Sequence, residues 1–350
     1  MRTGLIGLGN SGYFYHCRPH LEASDSFDLV AVCARDKARV LEVAERTAAR
    51  AVTDWREVVA DSRIELVVIS TPHSLHYEMA RAAVVAGKHV LVEKPMTIST
   101  AEADDLIDRA RRAGVVLAVH QQRRFEHDFV VLCQLVGGGV VGDLWKVDVV
   151  RTHRGRYRRA SADRPHAGES VLSWPHEREF GGGISWLVGP HPVDQVLELV
   201  GGCSCVVRGH VHVAGGDEVE DFIGIDMECD SGVLGRVEVY RHAGIAPARF
   251  AVYGSEGTIV GRTGRELEVS PIGREPFTVS GFAPPSILGD EIYDGVYAAI
   301  RGGRELAVKP EEARDAVEVL ELALASALEG GKAMVTSPRA RDRYRQREGA

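Results

Sequence analysis

The sequence predicts an α/β chain in two parts: a doubly wound parallel sheet, then a second α/β domain with a mostly antiparallel sheet. Three observations carry that expectation. Short apolar runs alternate with helical stretches across the first 120 residues, the pattern of parallel strands joined by helices. A glycine cluster, Gly7-Leu8-Gly9-Asn10-Ser11-Gly12, stands where the first run meets the first helix. After residue 122 the β-rich runs lengthen and are joined by Gly- and Asp-rich turns, the habit of antiparallel hairpins.

Taken in order, Thr3–Leu8 is a strand that ends in the G-x-G-x-x-G cluster. Tyr13–Ala23 reads as a helix that Pro19 ends or kinks. Leu29–Ala34 is the second strand, and Asp36 caps a helix over Lys37–Ala49. Strands at Leu66–Ser70, His89–Val92 and Val115–Val119 then alternate with helices at Ser74–Ala86 and Ala101–Ala113. The cluster thus has the strand, helix and second strand that a dinucleotide-binding turn requires. Gly7 permits the tight turn, Gly9 lets backbone approach a pyrophosphate, and Gly12 allows close helix packing, with the helix N-terminus facing the phosphates. Later runs at Leu144–Val150, Cys205–Val213, Phe222–Cys229, Gly232–Tyr240 and Phe250–Tyr253 build the second sheet, with turns at Asp230-Ser231-Gly232 and Gly254-Ser255-Glu256-Gly257. The division expected is 1–121 for the Rossmann domain, 122–335 for the second domain and 336–350 for a polar tail.

The chain has 350 residues, and at ~150 residues per domain that also favours two. A hydrophobic fraction of 45% excludes a mostly disordered chain. A net charge of −8 argues against nucleic acid as a partner. No apolar run reaches the ~18 residues of a membrane span, and glycines interrupt the N-terminal run, so a cytoplasmic protein without a signal peptide is expected. The six cysteines show no zinc spacing and read as buried thiols in a reducing compartment. His210 and His212 share a strand face but lack a third ligand nearby, so no metal is assigned.

Cofactor choice turns on the end of the second strand. Ala34 followed by Arg35 suits a 2′-phosphate, because guanidinium matches phosphate and a carboxylate would repel it. NADP(H) is therefore favoured over NAD(H). The competing reading leaves Arg35 in solvent and gives the ribose to Asp36.

Ile69-Ser70-Thr71-Pro72-His73-Ser74-Leu75-His76 and Ala86-Gly87-Lys88-His89-Val90-Leu91-Val92-Glu93-Lys94-Pro95 resemble the Gfo/Idh/MocA family of NAD(P)-dependent oxidoreductases. The resemblance continues through Gln122–Phe129, Gly181–Gly183, Gly189–Gln195 and helices around Ile292–Ile300 and Glu311–Leu328. It is closest to a branch that includes NADP-dependent scyllo-inositol dehydrogenases. It implies a Rossmann domain followed by an open, mostly antiparallel sheet that lines the substrate cleft, and a homodimer or homotetramer. It also implies hydride transfer to or from a secondary alcohol or ketone of a sugar, cyclitol or sugar derivative. Gly7, Gly9, Asn10, Gly12, Ala34, Arg35, Thr71, His73, His76, Glu93 and Lys94 are the implied cofactor contacts.

Lys94 matches the family's acid/base lysine, and His191 its substrate-oxygen histidine. Lysine at the C-terminal end of a parallel strand is well placed for a ligand, and burial lowers its pKa toward working pH. The family usually has Asp four residues before the histidine; here Leu187 stands there and can neither accept a proton nor bond the substrate. Arg123, Arg124, Trp174 and His191 are the candidate substrate contacts. A basic stretch, Arg151 to Arg159, points to an acidic substrate if it faces the site, and to a solvated loop otherwise. Leu187 keeps two alternatives open: a dinucleotide-binding protein without catalysis, and an enzyme using its nicotinamide without net redox change.

Overall fold

A computed structural model of the protein describes residues 1–22, 24–152, 174–213, 218–241, 245, 247–262, 264–283 and 289–338. The chain forms two compact units, Met1–Phe125 with Ile287–Val317, and Glu126–Ser286 with Glu318–Ala350.

The first unit is built on six strands: β1 (Arg2–Ile6), β2 (Asp28–Cys33), β3 (Arg50–Val52), β4 (Leu66–Ile69), β5 (His89–Glu93) and β6 (Leu117–His120). They lie in the order β3-β2-β1-β4-β5-β6, and all five pairings are parallel. Helices α1 (Lys37–Thr47), α2 (Trp55–Ala60), α3 (His76–Val85) and α4 (Thr100–Ala113) connect them. All four residues of β4 are buried, as expected of a parallel strand covered on both faces. Asp36 caps α1 by accepting a hydrogen bond from the Arg39 backbone at 3.2 Å. The segment after the glycine cluster, Gly12–Leu21, is wound as a π-helix with Pro19 inside it. Glu22 N–H reaches back five residues to the Cys17 carbonyl at 2.8 Å. The expected helix thus runs through Pro19 by widening its turns, which accommodates a residue that has no N–H to donate.

The second unit opens with α5 (His127–Gly137), β7 (Leu144–Thr152), α6 (Ile184–Leu187) and α7 (Pro190–Leu199). Strands β8 (Cys205–His212), β9 (Phe222–Cys229), β10 (Leu234–Tyr240), β11 (Phe250–Gly254), β12 (Gly257–Gly261), β13 (Glu266–Pro271) and β14 (Phe277–Ser280) follow. Together with β15 (Met334–Val335) they form a nine-stranded sheet in the order β14-β13-β12-β11-β7-β10-β9-β8-β15. Every pairing is antiparallel except β10 with β7. Alternate residues of β10 are buried, the signature of a sheet covered on one face. Cys203 and Cys229 are joined as a disulfide, with Cα atoms 5.6 Å apart. This corrects the expectation of six thiols; the β8–β9 register that sets Cys205 opposite Cys229 gathers these residues.

Helix α8 (Asp290–Gly302) belongs to the first unit, where Ile292, Tyr293 and Val296 share one buried core with Leu5, Val32, Leu66, Leu91 and Ala118. Each such fully buried aliphatic side chain contributes about 1.5–3 kcal/mol. Helix α9 (Pro310–Leu328) has residues up to Val317 in the first unit and the rest in the second. Among the described residues no helix is long and apolar enough to cross a membrane.

Candidate active site

The glycine cluster joins β1 to the π-helix, and its three glycines serve different needs. Gly7 has φ +102°, and a Cβ there would lie 2.0 Å from the Ser70 carbonyl oxygen. A Cβ on Gly12 would lie 2.1 Å from the Gly7 carbonyl oxygen. These two positions admit no side chain. A Cβ on Gly9 would meet nothing within 4 Å, so this stretch of backbone faces open space. Asn10 beside it is exposed. Tight packing at Gly7 and Gly12 with an open Gly9 is the donor set and clearance that a pyrophosphate needs at a helix N-terminus. The residues present therefore fit a dinucleotide.

At the end of β2, Ala34 is half-buried while Arg35 and Asp36 are exposed. The Asp36 carboxylate is engaged as the cap of α1. Arg39 Nε donates to the Leu8 carbonyl at 2.7 Å, and its guanidinium lies 4.9 Å from the Tyr13 ring centroid. Arg35 and Arg39 thus put positive charge on the segment after β2.

At the C-terminal ends of β4 and β5 the sequence-predicted residues gather. Thr71 is half-buried and His73 and His76 are buried. The His76 ring nitrogens lie 2.7 Å from the Pro95 carbonyl oxygen and 3.0 Å from that of Thr71. Burial lowers the His76 pKa, so the neutral ring stands between the segments after β4 and β5 and donates its single N–H to one of these two carbonyls. The Lys94–Pro95 bond is cis.

Glu93, the last residue of β5, is buried and collects hydrogen bonds. Its Oε1 accepts from Ser11 Oγ at 3.2 Å, and His16 Nε2 and His120 Nδ1 lie 3.1 and 2.9 Å from it. Its Oε2 accepts from the Lys94 backbone at 3.0 Å. Burial pushes the Glu93 carboxyl up, but the charge and hydrogen bond of His120, joined by those of His16, hold it well below the usual carboxylate range. Burial, together with the His120 charge, brings His16 down to about 4 despite Glu93. We therefore assign a neutral His16 whose Nε2–H donates to Glu93 while Nδ1, 2.9 Å from Tyr293 Oη, accepts from the phenol. The result is a buried carboxylate, ionised at neutral pH, next in sequence to Lys94.

Lys94 is lowered to about 8. Burial is the first cause; the Glu93 charge opposes it, and the Arg123 charge adds to it. A lysine there exists in both protonation states near neutral pH, which proton transfer requires. Arg123 is half-buried in the short turn Gln122–Phe125. Arg124, its neighbour, is buried and ion-paired with Glu312 of α9, so its guanidinium serves the interior of the unit.

In the second unit His191 is buried in the first turn of α7, and its backbone N–H donates to the Val188 carbonyl at 3.1 Å. Leu187 closes α6 half-buried, and Asp194 is buried on α7. Trp174 is half-buried in the short turn Trp174–His176. Of the basic stretch, only Arg151 and Thr152 fall within the described residues. Arg151 pairs with Glu126, which also binds Arg249, while Arg249 Nη1 reaches Asp128 Oδ2 at 2.6 Å. Gln195 joins through its Oε1, 3.1 Å from Arg151 Nη2. That charge is thus neutralised internally.

His16, His120 and Tyr293 escape sequence reasoning. Register is the signal that finds His120: β5 and β6 pair with Glu93 opposite His120. His16 stands one turn along the helix that Gly12 begins.

Comparison with known proteins agrees. Residues 1–121 match the oxidoreductase family with NAD-binding Rossmann fold (GFO_IDH_MocA), and residues 129–260 match the GFO/IDH/MocA C-terminal domain. The chain is 28% identical over 358 aligned positions to scyllo-inositol 2-dehydrogenase (NADP(+)) IolW of Bacillus subtilis, covering 94% of each. With several other curated oxidoreductases the match spans about half of their length. An NAD-binding protein from Listeria innocua superimposes with a TM-score of 0.79 at 24% identity, covering 99% of both chains. Levoglucosan dehydrogenase, solved with NADH and levoglucosan, gives 0.78 at 22%, covering 96% of this chain and 99% of that one. These two likenesses show the fold. With both halves of the family matched in order, the chain belongs to the Gfo/Idh/MocA oxidoreductases.

Proposed function

We propose that the protein is an NADP(H)-preferring oxidoreductase acting on a secondary alcohol or ketone of a polyhydroxylated substrate, a sugar, cyclitol or sugar derivative. Lys94 carries this reading: a lysine lowered to about 8, next in sequence to a buried carboxylate, at the end of a central parallel strand. When bound, the nicotinamide supplies the hydride chemistry. The glycine cluster and the π-helix N-terminus bind the pyrophosphate, and Gly9 gives it room. Arg35 takes the 2′-phosphate, a reading supported by the engagement of Asp36 in capping α1.

In the oxidising direction neutral Lys94 Nζ takes the hydroxyl proton; in the reducing direction its ammonium returns one to the carbonyl oxygen. Glu93 keeps Lys94 from losing its proton too early, since its charge opposes the effect of burial. Arg123 works in the other direction. His191 is the second group assigned to the substrate oxygen, a role carried by family likeness and suited to imidazole near neutral pH. Leu187 leaves that role without the family's aspartate. Trp174 and Arg123 are the remaining proposed substrate contacts.

The similarity to a scyllo-inositol dehydrogenase favours cyclitols and sugars as the first panel. The test follows nicotinamide absorbance with NADP+ or NADPH across cyclitols, aldoses and their ketones. Turnover on a panel member that Lys94→Ala abolishes supports the reading. Tight NADPH binding with no oxidation of any member would favour the non-catalytic alternative, and product formed with no net absorbance change would favour the redox-neutral one.

A further inference from the structure

Three cysteines of the second unit have no part in the reaction above, yet their sulphurs converge. Cys203 lies in the turn after α7, Cys205 opens β8, and Cys229 closes β9 opposite Cys205. Cys205 Sγ is 3.2 Å from Cys203 Sγ and 3.5 Å from Cys229 Sγ, while Cys203 and Cys229 are joined to each other. The three residues are 2%, 2% and 7% exposed. Among the described residues the cluster of ligand atoms stops at these three.

The backbone imposes this convergence. Asp230 N–H donates to the Ser204 carbonyl at 2.9 Å, which locks the Cys203–Cys205 segment to the end of β9. Cys205 N–H donates to Thr336 Oγ1 at 2.9 Å and Thr336 N–H to the Cys205 carbonyl at 3.0 Å, which fixes the other side. A donor set held by strand ladders needs little reorganisation to bind a ligand.

We propose that, once the Cys203–Cys229 bond is reduced, Cys203, Cys205 and Cys229 form a binding site for one soft, thiophilic monovalent cation of the Cu(I) type. An all-sulphur set selects soft metals. Structural zinc is almost always four-coordinate, whereas three sulphurs suit a trigonal ion. The steps balance. A dithiol reductant delivers two electrons and two protons to the disulfide, giving two thiols, and is itself oxidised to a disulfide. The cation then displaces the protons of three thiols, forming three metal–sulphur bonds and releasing three protons to solvent.

The full-length protein, reduced with dithiothreitol and desalted under anaerobic conditions, is titrated with Cu(I) against the competing chelator bicinchoninate. The proposal expects one equivalent to be withheld from the chelator. Cys205→Ser, which keeps the Cys203–Cys229 pair, should weaken binding by about 100-fold. Simultaneous serine replacement of Cys17, Cys33 and Cys133 should leave it unchanged. Copper-edge X-ray absorption of the loaded wild type should show three sulphur neighbours, a readout that needs no variant to fold. Failure of the reduced wild type to compete with bicinchoninate overturns the proposal. So does wild-type affinity in Cys205→Ser, loss of the site in the other triple variant, or a copper shell with nitrogen or oxygen in place of a third sulphur.

Discussion

Glu93 and Lys94 stand next to each other and are tuned in opposite directions. Burial would neutralise both, yet the histidine hydrogen bonds keep Glu93 ionised, and its charge limits how far Lys94 falls. A sign follows for the pH dependence. Alcohol oxidation needs neutral Lys94, so its rate should rise with pH through about 8; ketone reduction needs the ammonium and should fall through the same value. Steady-state pH profiles in both directions check this. Lys94→Ala should lower kcat by about 10²–10⁴-fold while leaving NADPH binding intact by calorimetry. Glu93→Gln removes the charge that raises the Lys94 pKa, so its profile should shift to lower pH. That variant should also melt lower, because the buried hydrogen bonds that Ser11, His16 and His120 make to the Glu93 carboxylate are weakened or left unmet, at about 1–3 kcal/mol. An unchanged pH midpoint in Glu93→Gln would detach Lys94 from Glu93. Lys94 itself is legible in the sequence through its motif and strand-end position. His16, His120 and Tyr293 are not, because they stand 77, 27 and 200 residues from Glu93 and meet only when the fold is known.

The β1 to π-helix junction separates two uses of glycine that a sequence pattern treats alike. Gly12→Ala sets a Cβ 2.1 Å from the Gly7 carbonyl, an overpacking that costs about 1–3 kcal/mol. Gly9→Ala meets no protein atom within 4 Å, so its melting temperature should match the wild type. Its NADPH affinity should nevertheless drop tenfold or more, about 1.4 kcal/mol, because the methyl occupies the space meant for the pyrophosphate. Differential scanning fluorimetry with and without NADPH separates the two variants. Equal melting losses in both would contradict the assignment. The junction was readable because glycine spacing, strand and helix all agree there. The winding of Gly12–Leu21 was not: Pro19 signals a disturbance, but widening the turns and ending the helix are both ways to meet it.

Over the whole chain, burial decides what the sequence reveals. The parallel strands of the first sheet are buried on both faces and show up as unbroken apolar runs such as Leu66–Ile69. The long strands β7 to β11 were readable too. By contrast β3 has three residues, and β12 begins and ends in glycine, so neither gives a pattern to read. The basic stretch Arg151 to Arg159 could serve an acidic ligand or lie as a solvated loop, and only its first two residues fall within the described residues; of these, Arg151 is matched by Glu126, whose other partner, Arg249, comes from a segment almost 100 residues away. Arg249→Met leaves Glu126 and Asp128 short of a buried partner and should destabilise the protein by about 3 kcal/mol, read as a lower denaturant midpoint. What the account asks of the molecule as a whole is that it bind a phosphorylated dinucleotide through the glycine cluster and Arg35. Calorimetric titration of wild type, Arg35→Ala and Gly9→Ala with NADPH and NADH tests that most directly. Wild type should bind NADPH at least tenfold more tightly than NADH, Arg35→Ala should erase that preference, and Gly9→Ala should weaken both. Tighter binding of NADH, or no binding of either, would contradict it.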